Sequence, residues 1–152
     1  MIAINVNIYG INQLTDKLDS IAENSKAISR EVANKLLPII KTRIHEQGLN
    51  SNEQQIGVYK NSYLKLRESK GRKSDSKVIF SLTGEMENDF GVHETTDGYG
   101  LGFNREINGL KAKGLQYGNK HLKGFGEVYA PTEKEKEQIV EIVTNYINDA
   151  IH

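Results

Sequence analysis

Two runs with alternating apolar residues, Phe90 to Thr96 and Tyr99 to Phe103, flank the dipeptide Asp97-Gly98. That pair is favoured in a type I′ turn, where both central residues need positive φ. A two-residue turn there pairs Thr96 with Tyr99, Glu94 with Leu101, and Val92 with Phe103. It puts Phe90, Val92, Leu101 and Phe103 on one face of an antiparallel hairpin. Such a face has to be covered, and the chain carries helical patterns towards both ends.

At the N-terminal side Leu14, Leu18, Ile21 and Ala22 share a helical face. The pattern weakens at Glu23-Asn24-Ser25 and resumes through Ile28, Val32, Leu36, Ile39, Ile40 and Ile44, with Gly48 as its stop. Pro38 removes a backbone donor and crowds the Asn34 carbonyl, which predicts a kink or a restart; the continuing apolar face favours the kink. At the other end Thr132-Glu133-Lys134-Glu135 follows Pro131 and reads as a capping box, with Thr132 as N-cap and Glu135 at N3. It opens a helix striped by Ile139, Ile142, Val143, Tyr146, Ile147 and Ala150.

Further strands are expected over residues 2–8 (Ile2, Ile4, Val6 and Ile8, closed by Gly10), over Val78 to Leu82, and over Gly124 to Ala130. Residues 105 to 117 read either way. Ile107, Leu110, Ala112 and Leu115 suit a weak helix, but Gly109 and Gly114 each cost it about 1 kcal/mol relative to alanine. The order predicts a single α+β domain over 1–152. A small antiparallel sheet is packed by a long N-terminal helix, kinked near Pro38, and by a C-terminal helix.

Residues 49 to 77 carry few apolar groups and read as a mobile basic loop around a short helix near 59 to 68, where Tyr59, Tyr63 and Leu66 have helical spacing. Between 60 and 77 lie Lys60, Lys65, Arg67, Lys70, Arg72, Lys73 and Lys77, against only Glu68 and Asp75. The whole chain is nonetheless neutral, with 20 Lys and Arg against 20 Asp and Glu, which argues against a protein that coats nucleic acid. It has no cysteine, so disulfides, thiol nucleophiles and Cys-containing zinc sites are excluded. No apolar run approaches the ~20 residues needed to span a bilayer, and the first residues lack the basic and apolar regions of a secretion signal. The expectation is a soluble product made in the cytoplasm.

Motifs for catalysis are weak. His93-Glu94-Thr95-Thr96-Asp97 imitates part of a zinc-protease motif, but a strand running into a turn does not put His93 and Asp97 on one helical face. Gly98-Tyr-Gly-Leu-Gly102 imitates a phosphate loop without the strand and helix that aim backbone donors at phosphate. His45 falls in a last helical turn, where an imidazole serves the helix dipole or faces water. His121 sits in a basic loop with no carboxylate near it in sequence, and no serine has a nucleophile-elbow context. No catalytic residue, cofactor or metal ligand is nominated. The charge pattern has two readings. The cations of 60–77 keep a solvated loop soluble, or Lys65, Arg67, Lys70, Arg72, Lys73 and Lys77 form a docking surface for phosphates or for an acidic protein face; Glu133, Glu137 and Glu141 of the last helix offer such a face, which would suit head-to-tail contact between identical subunits.

Several segments in order resemble a known family. Arg43-Ile44-His45-Glu46-Gln47-Gly48 is followed by Gln55-Ile56-Gly57-Val58-Tyr59 and Tyr63-Leu64-Lys65-Leu66-Arg67, then by Val78 to Met86 with Leu82-Thr83-Gly84-Glu85-Met86, and by Phe125-Gly126. Across about 43 to 151 this resembles the virion morphogenesis proteins of tailed bacteriophages, also called tail-completion or neck proteins. Their layout is a long helix ending in glycine, a loop, a Leu-Thr-Gly-x-Met/Leu turn, a hairpin, a Phe-Gly segment and a closing helix. The chain departs where it reads His121-Leu-Lys-Gly124-Phe-Gly126, and where Tyr59 stands in place of a frequent tryptophan. The resemblance implies a structural virion protein of the neck or tail end, a tail terminator or an adaptor, without a catalytic site. It would assemble as a ring of its own copies or onto one, against portal, connector and tail proteins, with its basic residues near passing DNA. Two rivals rest on the residues alone: a nucleic-acid-binding or regulatory module of a mobile element using residues 60–77, and a small hydrolase using His93 and Glu94.

Overall fold

The computed structural model describes residues 9–72, 75–119 and 122–151. The expected strand over 2–8, Lys73 and His121 lie outside these. Helices α1 (Tyr9–Glu23) and α2 (Ser25–Thr42) lead into a π-helical turn, Arg43–Gln47. After α3 (Asn61–Ser69) and the short α4 (Glu85–Asp89) come strands β1 (Phe90–Thr95) and β2 (Gly98–Phe103). Helix α5 (Glu106–Tyr117), the two-residue strands β3 (Gly118–Asn119) and β4 (Leu122–Lys123), and α6 (Glu133–Ile151) complete the chain. The fold is α+β, with helices dominating two small antiparallel pairings. Among the described residues, no helix is long and apolar enough to cross a membrane.

The spine is α2. Ile28, Leu36 and Ile40 of the expected stripe are buried, and Ile44 continues it in the π-helical turn, while Ile39 stays 38% exposed. The helix runs through Pro38 without restarting, and its irregularity falls about a turn later, where hydrogen bonding widens at Arg43–Gln47. Gly48 ends it as expected, at φ 70°, and a Cβ there would lie 2.8 Å from the Val78 carbonyl oxygen. Both the left-handed conformation and the close approach demand glycine.

The hairpin forms with the expected apolar face but another turn. Phe90 pairs with Phe103, Val92 with Leu101, and Thr95 with Gly98, so the two-residue loop is Thr96-Asp97. Pairing moves by two residues relative to the expectation, an even shift, so each side chain keeps its face. Neither loop residue has positive φ, which excludes a type I′ turn. Gly98 begins β2 at φ 148°, a conformation that other residues rarely adopt, and its surroundings leave no space for a side chain. A Cβ there would sit 2.5 Å from Ser29 Oγ, and the neighbouring Tyr99 N–H donates to that oxygen at 3.1 Å. The hairpin thus docks on α2, reinforced by a Lys26–Glu94 ion pair and by Arg30 over the Tyr99 ring at 5.5 Å.

Two expected strands do not form. Along Val78 to Leu82, Val78 N–H donates to Gly57 O and one bridge joins Val58 to Lys77, but Phe80 turns to φ 48° and ends the extended run. Along Gly124 to Ala130, the end of α5 takes the backbone donors. Phe125 and Gly126 N–H donate to the carbonyls of Leu115 and Gln116, and Val128 and Tyr129 N–H both donate to Gln116 Oε1. With those donors satisfied, no ladder is left to make. Residues 105–117 resolve as helix, fixed at its start by Asp89 Oδ2, which accepts from Arg105 N–H and Asn108 Nδ2.

One apolar cluster unites Leu36, Ile40, Ile44, Ile56, Val78, Phe80, Phe90 and Val128. Around it Phe90, Phe103 and Tyr129 meet with ring centres 5.1 to 5.2 Å apart. The α6 capping box forms as expected. Glu135 N–H donates to Thr132 Oγ1 at 3.1 Å, and Thr132 N–H donates to Glu135 Oε2 at 2.8 Å. The helix packs chiefly on α2 and α1.

Candidate docking groove

The start of the segment 49 to 77 is tied into the fold by hydrogen bonds and by burial. Asn50 Oδ1 accepts from the N–H groups of Asn52 and Gln54, Ser51 N–H donates to Glu127 O, and Ile56 joins the core. The short helix expected near 59 to 68 is α3, which begins at Asn61; Tyr63 and Arg67 lie on its inward side, and Tyr59 packs against both from the segment before it. Leu66, expected inside, is 43% exposed, while Arg67 is 1% exposed.

Arg67 is therefore not a surface cation. Its guanidinium lies 4.6 Å from the Tyr59 ring centre and donates to the Ser81 carbonyl. The Tyr59 hydroxyl accepts from Ile79 N–H at 3.2 Å, and burial raises its pKa, so the phenol stays neutral. The left-handed turn at Phe80, rare for an aromatic residue, stands beside that carbonyl, and the Phe80 ring meets Phe125 at 5.6 Å.

Tyr59, Phe80 and Phe125 form part of the wall of an open groove of about 950 Å³. Tyr59, Tyr63, Phe80, Leu82, Met86, Leu115 and Phe125 give it an apolar lining, and Lys60, Lys111, Lys123 and Glu85 stand among the residues around it. Val58, 65% exposed, opens it to solvent. Next to Lys111 and Leu115 on α5, helical spacing places exposed Ile107, Leu110 and Tyr117 on the following face. An apolar depression continued by exposed apolar side chains is characteristic of a surface that binds another surface.

The other expected interface residues are scattered. Lys65 and Lys70 are exposed on and just after α3. Arg72 is half-buried, and its Nε donates to Leu82 O at 2.9 Å. Lys77 pairs with Asp75 at 3.3 Å. On α6, Glu133 pairs with Lys136 at 2.6 Å, while Glu137 and Glu141 are exposed. The basic surface read from the sequence is thus divided, with its two arginines turned towards the chain itself.

The weak catalytic motifs are absorbed by structure. His93 Nε2 lies 2.9 Å from Gly102 O across the hairpin, and Glu94, on the opposite face of β1, pairs with Lys26. Gly98–Gly102 is strand β2. Among the described residues, no group of three His, Asp or Glu side chains is placed to hold a metal ion.

His45, expected at a solvent-facing helix end, is 5% exposed. The π-helical turn carries it inward, where its Nδ1 lies 2.9 Å from Ile79 O and its Nε2 is buried without a partner. Burial lowers its pKa, against smaller opposing effects of the Ile79 carbonyl and Glu87, while Lys41 adds to the lowering. A histidine depressed in the folded state binds its proton more readily when unfolded, so stability is full above about pH 6.5. Stability is expected to fall as pH drops from there towards the lowered folded value. Urea melts at pH 7.5 and pH 5.5 measure this, and His45→Asn, which keeps a donor for Ile79 O, should shrink the difference. An equal fall in both proteins would assign it to other groups.

Compared with family models, curated proteins and solved structures, the chain matches none.

Proposed function

We propose that this chain is a structural subunit of a tailed-bacteriophage virion, at the neck or tail end, working through docking surfaces as part of a ring or on one. The observation that carries this reading is convergence. Val58 and Tyr59, Tyr63, Val78, Phe80, Leu82 through Met86, and Phe125 belong to separate segments of the family resemblance, and they line one groove. A motif set that served only the core would have no reason to surround an open apolar depression.

The subunit would fit against its own copies, against portal or connector proteins and against tail proteins, as a tail terminator or an adaptor. The rival reading as a nucleic-acid module loses two of its cations, since Arg67 and Arg72 are spent on carbonyls of their own chain. The test is the location of the chain in purified particles, where antibody label is expected at the collar or tail end. Particles without the chain would overturn the reading.

A further inference from the structure

We propose that the apolar groove seats the outward face of α6 from a second copy of this chain. The inference rests on the subunit reading above and identifies the two surfaces that meet.

The groove side carries unanswered positive charge. Lys60 and Lys123 are exposed with no carboxylate at ion-pair distance among the described residues, and Lys111 shares Glu85 at 3.9 Å. The α6 side carries the opposite sign. Glu135, Ile139, Ile142 and Tyr146 mark its inward face, so residues 137, 140 and 144 face outward, while Glu141 borders the crease with α2 beside Lys35. Glu137 and Glu141 are exposed without ion-pair partners among the described residues, and Val140, between them in sequence, is 64% exposed. An exposed valine flanked by carboxylates complements an apolar depression flanked by lysines. Burying Val140 against Val58 and the groove wall removes apolar surface from water on both copies, and the charges fix register.

Groove and helix are different surfaces, so the contact is heterologous. Each copy that docks keeps one groove or one helix free for the next, and the array closes into a ring or extends.

The chain has no cysteine, so any disulfide comes from the introduced thiols. With Val58→Cys and Val140→Cys in one chain, mild oxidation is expected to give a reducible ladder extending beyond dimers. Either single variant stops at dimer. Adding Lys60→Glu and Lys123→Glu should cut the ladder by about tenfold, and adding Glu137→Lys and Glu141→Lys as well should restore it. All six positions are exposed, and unchanged circular dichroism confirms that each variant folds.

A double-cysteine chain that stops at dimer, or a ladder indifferent to charge reversal, overturns the proposal. Either result, with label still at the neck of the virion, leaves the subunit reading standing. A charge-dependent ladder from a chain missing from virions does the reverse.

Discussion

Replacing Glu135 with alanine is expected to destabilise the chain by about 3–5 kcal/mol, read as a lowered urea midpoint. Glu135 is 3% exposed, and its carboxylate does two jobs at once. It closes the α6 capping box through Thr132 N–H, and it accepts from Arg43 Nε at 2.8 Å and from Nη2 at 3.3 Å. The guanidinium is 4% exposed and spends its other hydrogens on the carbonyls of Val128, Leu49 and Ala130. Removing the carboxylate leaves a full positive charge buried among carbonyls, which costs far more than an exposed ion pair is worth. The same alanine at Glu133, whose pair with Lys136 is largely exposed, is expected to stay within about 0.5 kcal/mol. Equal effects at the two positions would mean that Arg43 does not sit where the fold places it.

The second large effect is expected at Arg67. Alanine there strips the Ser81 carbonyl of its charged donor and the Tyr59 ring of its cover, and should destabilise the chain by about 2–3 kcal/mol. Lys65→Ala and Lys70→Ala, at exposed positions two before and three after it, should each stay within about 0.5 kcal/mol. Denaturant melts of the three variants separate a buried arginine from a basic surface patch. If all three behave alike, residues 60–77 are a charged exterior after all.

The contrast within α3 shows what a sequence discloses and what it conceals. Tyr63 and Arg67 lie four residues apart on the helix, and Tyr59 joins them from just before it, but a hydropathy reading stops at Leu66 because arginine is normally a surface residue. The Ser81 carbonyl, turned inward beside the left-handed Phe80, and the Tyr59 ring together make a buried guanidinium favourable. The capping box was legible because its partners lie three residues apart. Its link to Arg43 was not, since 92 residues separate the pair.

The hairpin face was legible because alternation is local. Its turn was not, because Gly98, at φ 148°, opens β2 against Ser29 of a distant helix and does not sit inside the loop. Val78 to Leu82 and Gly124 to Ala130 had strand composition, and they stayed irregular once Phe80 broke one and the end of α5 took the donors of the other. The groove is the sum of these nonlocal events. Its aromatic lining was visible residue by residue, while its existence depended on where three irregular segments came to rest.

If this chain fits its surfaces into a virion assembly, as proposed, imaging of purified particles with antibody against the chain is expected to show label confined to the collar or tail end, at a fixed copy number per particle consistent with a ring. Label absent from particles, with the chain left free in the lysate, would contradict it.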